Sequence, residues 1–282
     1  MNTYKQVLLA FLCSAIYILP VAASDRLTSD TDKEQRWANQ IVDFLIEGES
    51  QWLRAGEHRF LGIYTPSTIE RPKGAVVLLH GRGVHPDWPQ VIQPLRTQLP
   101  ENGWATLSIQ LPILPNEAGL EEYVPLFKES PVRIKAALDY LEQRGFKNIV
   151  LMGHSLGNNM ATDFLAHSRD NRVQAFVGVS MEAARQPKKF EVLDNVVGLL
   201  QVKVPVLDIY GSEAIEPVVK SVDRRAYVIY QALDEKSRQI EIKGANHFFQ
   251  GFENELVQTI TTWLDKAILI SQSSKKLVKI NQ

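Results

Sequence analysis

Ser155, His247 and the loop His80-Gly81-Arg82-Gly83 are the residues whose types and surroundings fit covalent chemistry. Ser155 is the centre of Gly153-His154-Ser155-Leu156-Gly157, a G-x-S-x-G pentapeptide. A short apolar run, Ile149 to Met152, leads into it, and a helix-patterned segment follows. A nucleophile elbow needs this order. The serine sits on a strained strand-to-helix turn, and small residues two before and two after it let neighbouring backbone come close. Such a turn exposes the hydroxyl and aims the next backbone N–H groups at a developing oxyanion, beside a helix N-terminus. The chemistry served is acyl transfer, with the serine attacking a carbonyl carbon. Five residues with three fixed recur by chance, so the pattern gains its weight from the flanking elements and from partners elsewhere in the chain.

An activated serine needs a base, a group that orients the base, and donors for the oxyanion. An open parallel sheet collects its site at the C-terminal ends of its strands. His247 meets that demand, in Gly244-Ala245-Asn246-His247-Phe248-Phe249, after the last short strand and before the last helix. The oxyanion donors are expected to be the backbone N–H groups of Arg82, straight after the strand Ala75 to Leu79, and of Leu156. The Arg82 side chain has two readings: it holds a substrate carboxylate, or it pairs with a local acid. His85, Asp87 and Trp88 either line the pocket or form a turn into the next helix.

The orienting acid is harder to place. It is expected three residues beyond Gly211, at the end of the strand Val204 to Tyr210, where the chain has Ala214. Glu213, one residue short, is the expected acid, its longer arm covering the displacement. Glu216, Asp208 and Glu182 are the alternatives. Asp208 lies inside a strand that should be buried on both faces, where a carboxylate is normally paired.

The elements needed to position these groups are legible as an alternation. Trp37, Ile41, Phe44 and Leu45 recur with helical spacing, and Arg59 to Tyr64 reads as an early strand. Ala75 to Leu79 is a continuous apolar run, the mark of a strand covered on both faces. There follow a helix over Val91 to Leu99, a strand over Ala105 to Ile109, and a helix started by Ser130-Pro131 with Ile134, Leu138 and Leu141 inward. After the Ser155 turn comes a helix with Met160, Phe164 and Leu165 on one side. Strands follow over Val173 to Val179, Val204 to Tyr210 and Ile240 to Ile242, and a final helix carries Leu256, Ile260, Trp263 and Leu264. Strands spaced by helices predict an α/β protein: a mostly parallel central sheet with helices on both faces. The stretch from Leu111 to Ser130 is irregular, and is either a lid or pocket wall or a plain surface excursion.

Composition narrows the classes. The chain has 282 residues, 45% hydrophobic and 22% charged, with formal charge −1. That suits a soluble globular protein and favours neither nucleic acid nor an anionic membrane as partner. Lys5, the apolar run Val7 to Leu19, and Pro20 to Ala23 have the pattern of a secretory signal with cleavage after Ala23. The run is shorter than the roughly 20 residues needed to span a bilayer, so no integral span is expected in the mature chain. Cys13, the only cysteine, leaves with the signal, so no disulfide is expected. The expected location is periplasmic or secreted. The expected division is a signal over 1–23, an N-terminal helical extension over 24–57, the main domain over 58–270, and a polar tail over 271–282. There is no Cys/His cluster with ligand spacing and no phosphate-binding glycine loop, so no metal or cofactor is expected. The sequence carries no signal about oligomeric state.

With these residues in view, the chain resembles an α/β-hydrolase. The resemblance runs from His80-Gly81-Arg82-Gly83 through Ser155 to His247, over nearly the whole mature chain after the first helix, in the order serine, acid, histidine. The strings His80 to Pro89 and Gly244 to Phe249 resemble a family of exported bacterial proteins within that superfamily. The resemblance implies the fold strongly and a substrate hardly at all, since this fold hosts many chemistries. Two functions follow as expectations. One is a serine hydrolase acting on an ester, thioester or amide of a small acyl substrate. The other is a non-catalytic binding or scaffold protein of the bacterial envelope built on the same fold.

Overall fold

A computed structural model describes residues 28–168, 170–231 and 234–270. The expected signal with its Cys13 and the polar tail lie outside the described residues. Eight strands form one sheet: β1 (Glu49–Ala55), β2 (His58–Thr65), β3 (Gly74–Leu79), β4 (Trp104–Ile109), β5 (Ile149–His154), β6 (Val173–Val179), β7 (Val206–Glu213) and β8 (Arg238–Asn246). Their order across the sheet is β1-β2-β4-β3-β5-β6-β7-β8. The β1–β2 and β2–β4 pairs are antiparallel, and every later pair is parallel. The helices are α1 (Thr31–Phe44), α2 (Ile92–Gln98), α3 (Ser130–Gln143), α4 (Leu156–His167), α5 (Asn195–Leu199), α6 (Glu216–Val219), α7 (Val222–Gln231) and α8 (Glu253–Leu264).

Two-residue alternation explains why the sheet is covered twice. On β3, Ala75, Val77 and Leu79 pack into one core with Ile134 and Leu138 of α3 and Met160 of α4. Val76 and Leu78 point to the opposite face, into a second core with Leu95 of α2 and Leu256 and Ile260 of α8. Each Val, Leu, Ile or Met side chain among them contributes about 1.5–3 kcal/mol when removed from water. The expected mostly parallel sheet with helices on both faces is therefore present, and it brings the ends of β3, β5 and β8 to one side.

The differences from the sequence reading are local. Residues 49–55, expected in a helical extension, form β1 and pair along their length with β2. This edge strand buries only Leu53 among its side chains, so it carries almost no apolar signal. β8 extends well beyond the short strand expected over Ile240 to Ile242. Ser130 lies inside the first turn of α3, preceded by Glu129 at the cap position. Helices α5, α6 and α7 add to the elements expected from the sequence. The stretch after Leu111 folds back as a 3-10 helix, Leu120–Lys128, that buries Tyr123, Leu126 and Phe127.

The face that α1 buries also departs from the apolar pattern. Phe44 is 82% exposed, whereas Lys33, Glu34, Ala38 and Ile41 are buried. The inward face is set by charge. Glu34 accepts from the Arg133 guanidinium at 2.8 Å and from the Ile113 N–H at 3.3 Å. Arg133 also donates to the Gln110 carbonyl at 3.2 Å and to Ser29 Oγ at 3.2 Å. The Glu34 and Arg133 side chains are 5% and 1% exposed, so removing either one leaves the other in a dry interior with a weaker ion partner, His58 at 3.2 Å for Glu34 and Glu129 at 3.8 Å for Arg133. Arg133→Ala should cost about 3–5 kcal/mol, read as a lower urea midpoint at unchanged m-value. A loss below about 1 kcal/mol would show that the pair is not a structural latch.

Candidate active site

The turn between β5 and α4 has the strained geometry expected of an elbow. Ser155 has φ 51° and ψ −122°, outside the comfortable range of an L-residue. Its backbone N–H donates to the Val179 carbonyl of β6 at 3.1 Å, and its carbonyl accepts from the Asn158 N–H at 3.0 Å. The flanking glycines answer to close approaches. A Cβ on Gly157 would collide with the Leu79 carbonyl oxygen and stand 2.7 Å from that of His80, and one on Gly153 would stand 2.7 Å from the Asn158 nitrogen. The elbow can therefore press against the end of β3 only where side chains are missing.

The loop after β3 is pinned beside it by His80. This imidazole is 1% exposed; its Nδ1 lies 2.8 Å from the Gly81 carbonyl, and its Nε2 accepts the Leu111 N–H at 3.0 Å. Nδ1 therefore carries the proton and Nε2 the lone pair, so the ring is neutral. Burial, the leading cause, lowers its pKa to about 3. The pinned loop brings Gly81 and Arg82 to the cavity that Ser155 and Leu156 also line. Leu156 is the first residue of α4, so its N–H has no intrahelical acceptor.

His247 arrives from the far end of β8. It is 6% exposed and lines the same cavity as Ser155. Its carbonyl accepts from Ser180 Oγ at 2.9 Å and lies 3.2 Å from His154 Nε2. Its ring packs at 5.1 Å from the His154 ring and 5.0 Å from that of Phe248. Burial lowers its pKa to about 4, so the imidazole is neutral and ready to accept a proton across most of the pH scale. Its Nδ1 is buried without a hydrogen-bond partner among the described residues.

Among the described residues no carboxylate bonds to Nδ1, and only one of the four candidates reaches the cavity. Glu213 is exposed; its backbone pairs with Asn246, but its side chain stays outside the cavity lining. Glu216 is exposed and paired with Lys220, which lowers its pKa. Asp208 is fully buried and accepts from Arg225 Nε at 2.7 Å and from Gln239 at 2.8 Å, the pairing that a buried strand carboxylate requires. Glu182 alone lines the cavity, where burial raises its pKa and the nearby Arg82 charge partly opposes that rise.

The cavity has a volume of about 380 Å³. Val84, Trp88, Leu120, Leu193, Ile215 and Phe248 give it apolar walls, and Arg82, Asn159 and Glu182 give it polar ones. Trp88 thus lines the pocket. Asp87 serves the turn instead, pairing with Arg96 at 2.7 Å, and the His85 ring packs between Trp37 and Trp88. Leu120 makes the Leu111 to Ser130 stretch a pocket wall. The sequence reading missed Ser180 and His154 as supports of His247. A serine ending a strand carries no distinguishing signal, and His154 is hidden in a motif defined by its neighbours. Among the described residues there is no His/Cys/Asp/Glu cluster able to hold a metal, and no helix long and apolar enough to cross a membrane.

Comparison with known proteins agrees with this architecture. A family described as "Protein of unknown function (DUF3530)" matches residues 8–131 and 127–266. No curated protein matches the chain. Among solved structures, a dienelactone hydrolase from Anabaena variabilis is 23% identical, with TM-score 0.59, over 78% of this chain and 98% of that one. Est1E from Butyrivibrio proteoclasticus, with ferulic acid bound, is 15% identical, with TM-score 0.61, over 78% and 99%. A lidless α/β serine hydrolase from Xanthomonas campestris is 15% identical, with TM-score 0.58, over 79% and 96%. At these identities the likeness is one of fold, and the fold is that of the α/β hydrolases.

The buried histidines link the site to stability. His80, His154 and His247 have folded pKa values of about 3, 3 and 4, against an ordinary 6.5. Between those limits the unfolded chain binds protons that the folded chain refuses, so stability falls as pH drops below 6.5. Urea midpoints measured from pH 7 down to pH 5 should decline, and His80→Gln should flatten the decline while lowering the plateau. A midpoint independent of pH over that window would contradict the assignment of neutral, buried imidazoles.

Proposed function

The chain belongs to the DUF3530 family, and we propose that it is a serine hydrolase that cleaves an ester, thioester or amide of a small acyl substrate. One observation carries this reading: a serine at a positive-φ elbow after β5 and an imidazole just past the end of β8 line one cavity. Ser155 Oγ attacks the acyl carbonyl as its proton passes to the His247 imidazole. The carbonyl oxygen becomes an oxyanion facing the backbone N–H groups of Arg82 and Leu156, a type of contact worth about 3 kcal/mol of transition-state stabilisation per donor. The proton then goes to the leaving group as its bond to carbon breaks. Water attacks the acyl-serine with His247 again as base, which frees the acid and restores the serine. These steps call for no metal or cofactor.

The site's walls suit a substrate that is mostly apolar with one or two polar groups. A preformed cavity walled by Leu120 supports access to small molecules rather than to a folded polymer. The residues from Lys5 to Ala23 support export, and the proposal therefore sets the reaction in the bacterial envelope or outside the cell. A non-catalytic binding module is the second reading. It is favoured by one observation, the unpartnered Nδ1 of His247.

A fluorophosphonate probe separates the two. Labelling of the wild type that is lost in Ser155→Ala supports hydrolysis, and a well-folded wild type that stays unlabelled supports the binding module. On p-nitrophenyl esters of increasing chain length, His247→Ala should lower kcat by a factor on the order of 10⁴. Retention of near-full activity by that variant would remove His247 from the mechanism.

A further inference from the structure

The proposed hydrolase needs something to hold its base, and among the described residues no acid does so: His247 Nδ1 is buried and has no partner. The structure instead surrounds His247 with contacts of another kind. Ser180 Oγ donates to the His247 carbonyl at 2.9 Å. His154 Nε2 lies 3.2 Å from the same oxygen, so its proton sits on that nitrogen and is donated there. The imidazole is flanked by two rings, His154 at 5.1 Å and Phe248 at 5.0 Å, the latter edge-on.

We propose that Ser155 and His247 work as a pair without an acid, the base being oriented by a clamp in which Ser180 and His154 hold its main-chain carbonyl while the His154 and Phe248 rings fix its imidazole. This rests on the hydrolase reading above. Ser180 and His154 are then positioning residues, and neither touches the reacting atoms.

The surroundings of both groups support this role. Ser180, the residue after β6, has φ 51°, is fully buried, and is tied by its N–H to the Ile209 carbonyl of β7 at 2.9 Å. A buried residue held at positive φ costs about 1–3 kcal/mol, which the surroundings must offset. Here that conformation goes with a hydroxyl bonded to the backbone of the base. The same strand end anchors the nucleophile, since the Ser155 N–H donates to Val179, the residue before Ser180. Nucleophile and base are thus hung from adjacent residues, Val179 at the end of β6 and Ser180 after it, which ties their separation to one backbone segment. His154 is 3% exposed and neutral, its single proton engaged by the carbonyl. A neutral neighbour does not repel the imidazolium that forms on His247 when it takes the serine proton.

The test is made on the full mature chain with p-nitrophenyl acetate and a fluorophosphonate probe. Ser180→Ala should lower kcat and the labelling rate by about fivefold or more while KM changes less than about twofold, the split expected when only the base is misplaced. A folded Ser180→Ala with kcat and labelling within about fivefold of wild type overturns the clamp. Should that variant fail to fold, Glu213→Gln and Glu216→Gln decide the matter. Each should keep kcat within about tenfold of wild type, because neither orients the base. Loss beyond about tenfold at unchanged KM in either of them identifies an orienting acid and overturns the proposal. Wild-type protein that takes no label overturns the hydrolase reading and the clamp together, whereas labelled wild type with an insensitive Ser180→Ala overturns the clamp alone.

Discussion

The close approach of the β5–α4 turn to the end of β3 is the constraint on which the site depends. Gly157 packs against the Leu79 and His80 carbonyls, so the helix after the serine begins almost in contact with the strand that leads into the Gly81-Arg82 loop. That contact sets two things at once. It holds Ser155 in a conformation an L-residue does not choose for itself. It also brings the first N–H of α4 and the Arg82 loop to the same cavity. A side chain at either glycine would push the donors away from the hydroxyl, and chemistry of this kind loses its rate when its groups shift by about an ångström.

A buried polar chain extends this constraint outward. His80 holds the Gly81 carbonyl and accepts from Leu111, and Gln110 lies 3.0 Å from the same imidazole nitrogen. The Gln110 carbonyl accepts from Arg133, whose charge is met by Glu34 of α1. The N-terminal helix is thus tied to the Gly81-Arg82 loop through groups that lie in the dry interior. Removing one leaves its neighbour unsatisfied, so polar groups rather than apolar ones decide how α1 docks.

The titratable groups follow the same economy of charge. His80, His154 and His247 are buried and neutral, and the buried carboxylate Asp208 is matched by Arg225 in an equally buried pair. The exception is the cavity itself. There Glu182 and Arg82 stand without an ion pair among the described residues, and walls of Trp88, Leu120 and Phe248 surround them. Uncompensated polarity inside an otherwise apolar pocket gives a ligand something to satisfy.

Much of this was legible in the sequence because it depends on local pattern. Continuous apolar runs at Ala75 to Leu79 and Ile149 to Met152 dictate strands covered on both faces, and alternation with helices dictates the parallel sheet. The glycines around Ser155 and the loops carrying His80 and His247 are likewise local, since each follows a strand and must emerge at the same end of the sheet. Strand β1 escaped because an edge strand buries little and so shows no apolar rhythm. The inward face of α1 escaped because Glu34 is buried by its partner Arg133, far along the chain. The groups that hold the His247 carbonyl escaped for the same reason. Proximity in sequence to the end of β7 pointed to Glu213, but the β7–β8 pairing leaves that side chain in solvent, and the support of His247 comes from Ser180 and His154. A residue's own pattern determines its element and its face. Which distant groups meet in the interior is decided only when the strands are set side by side.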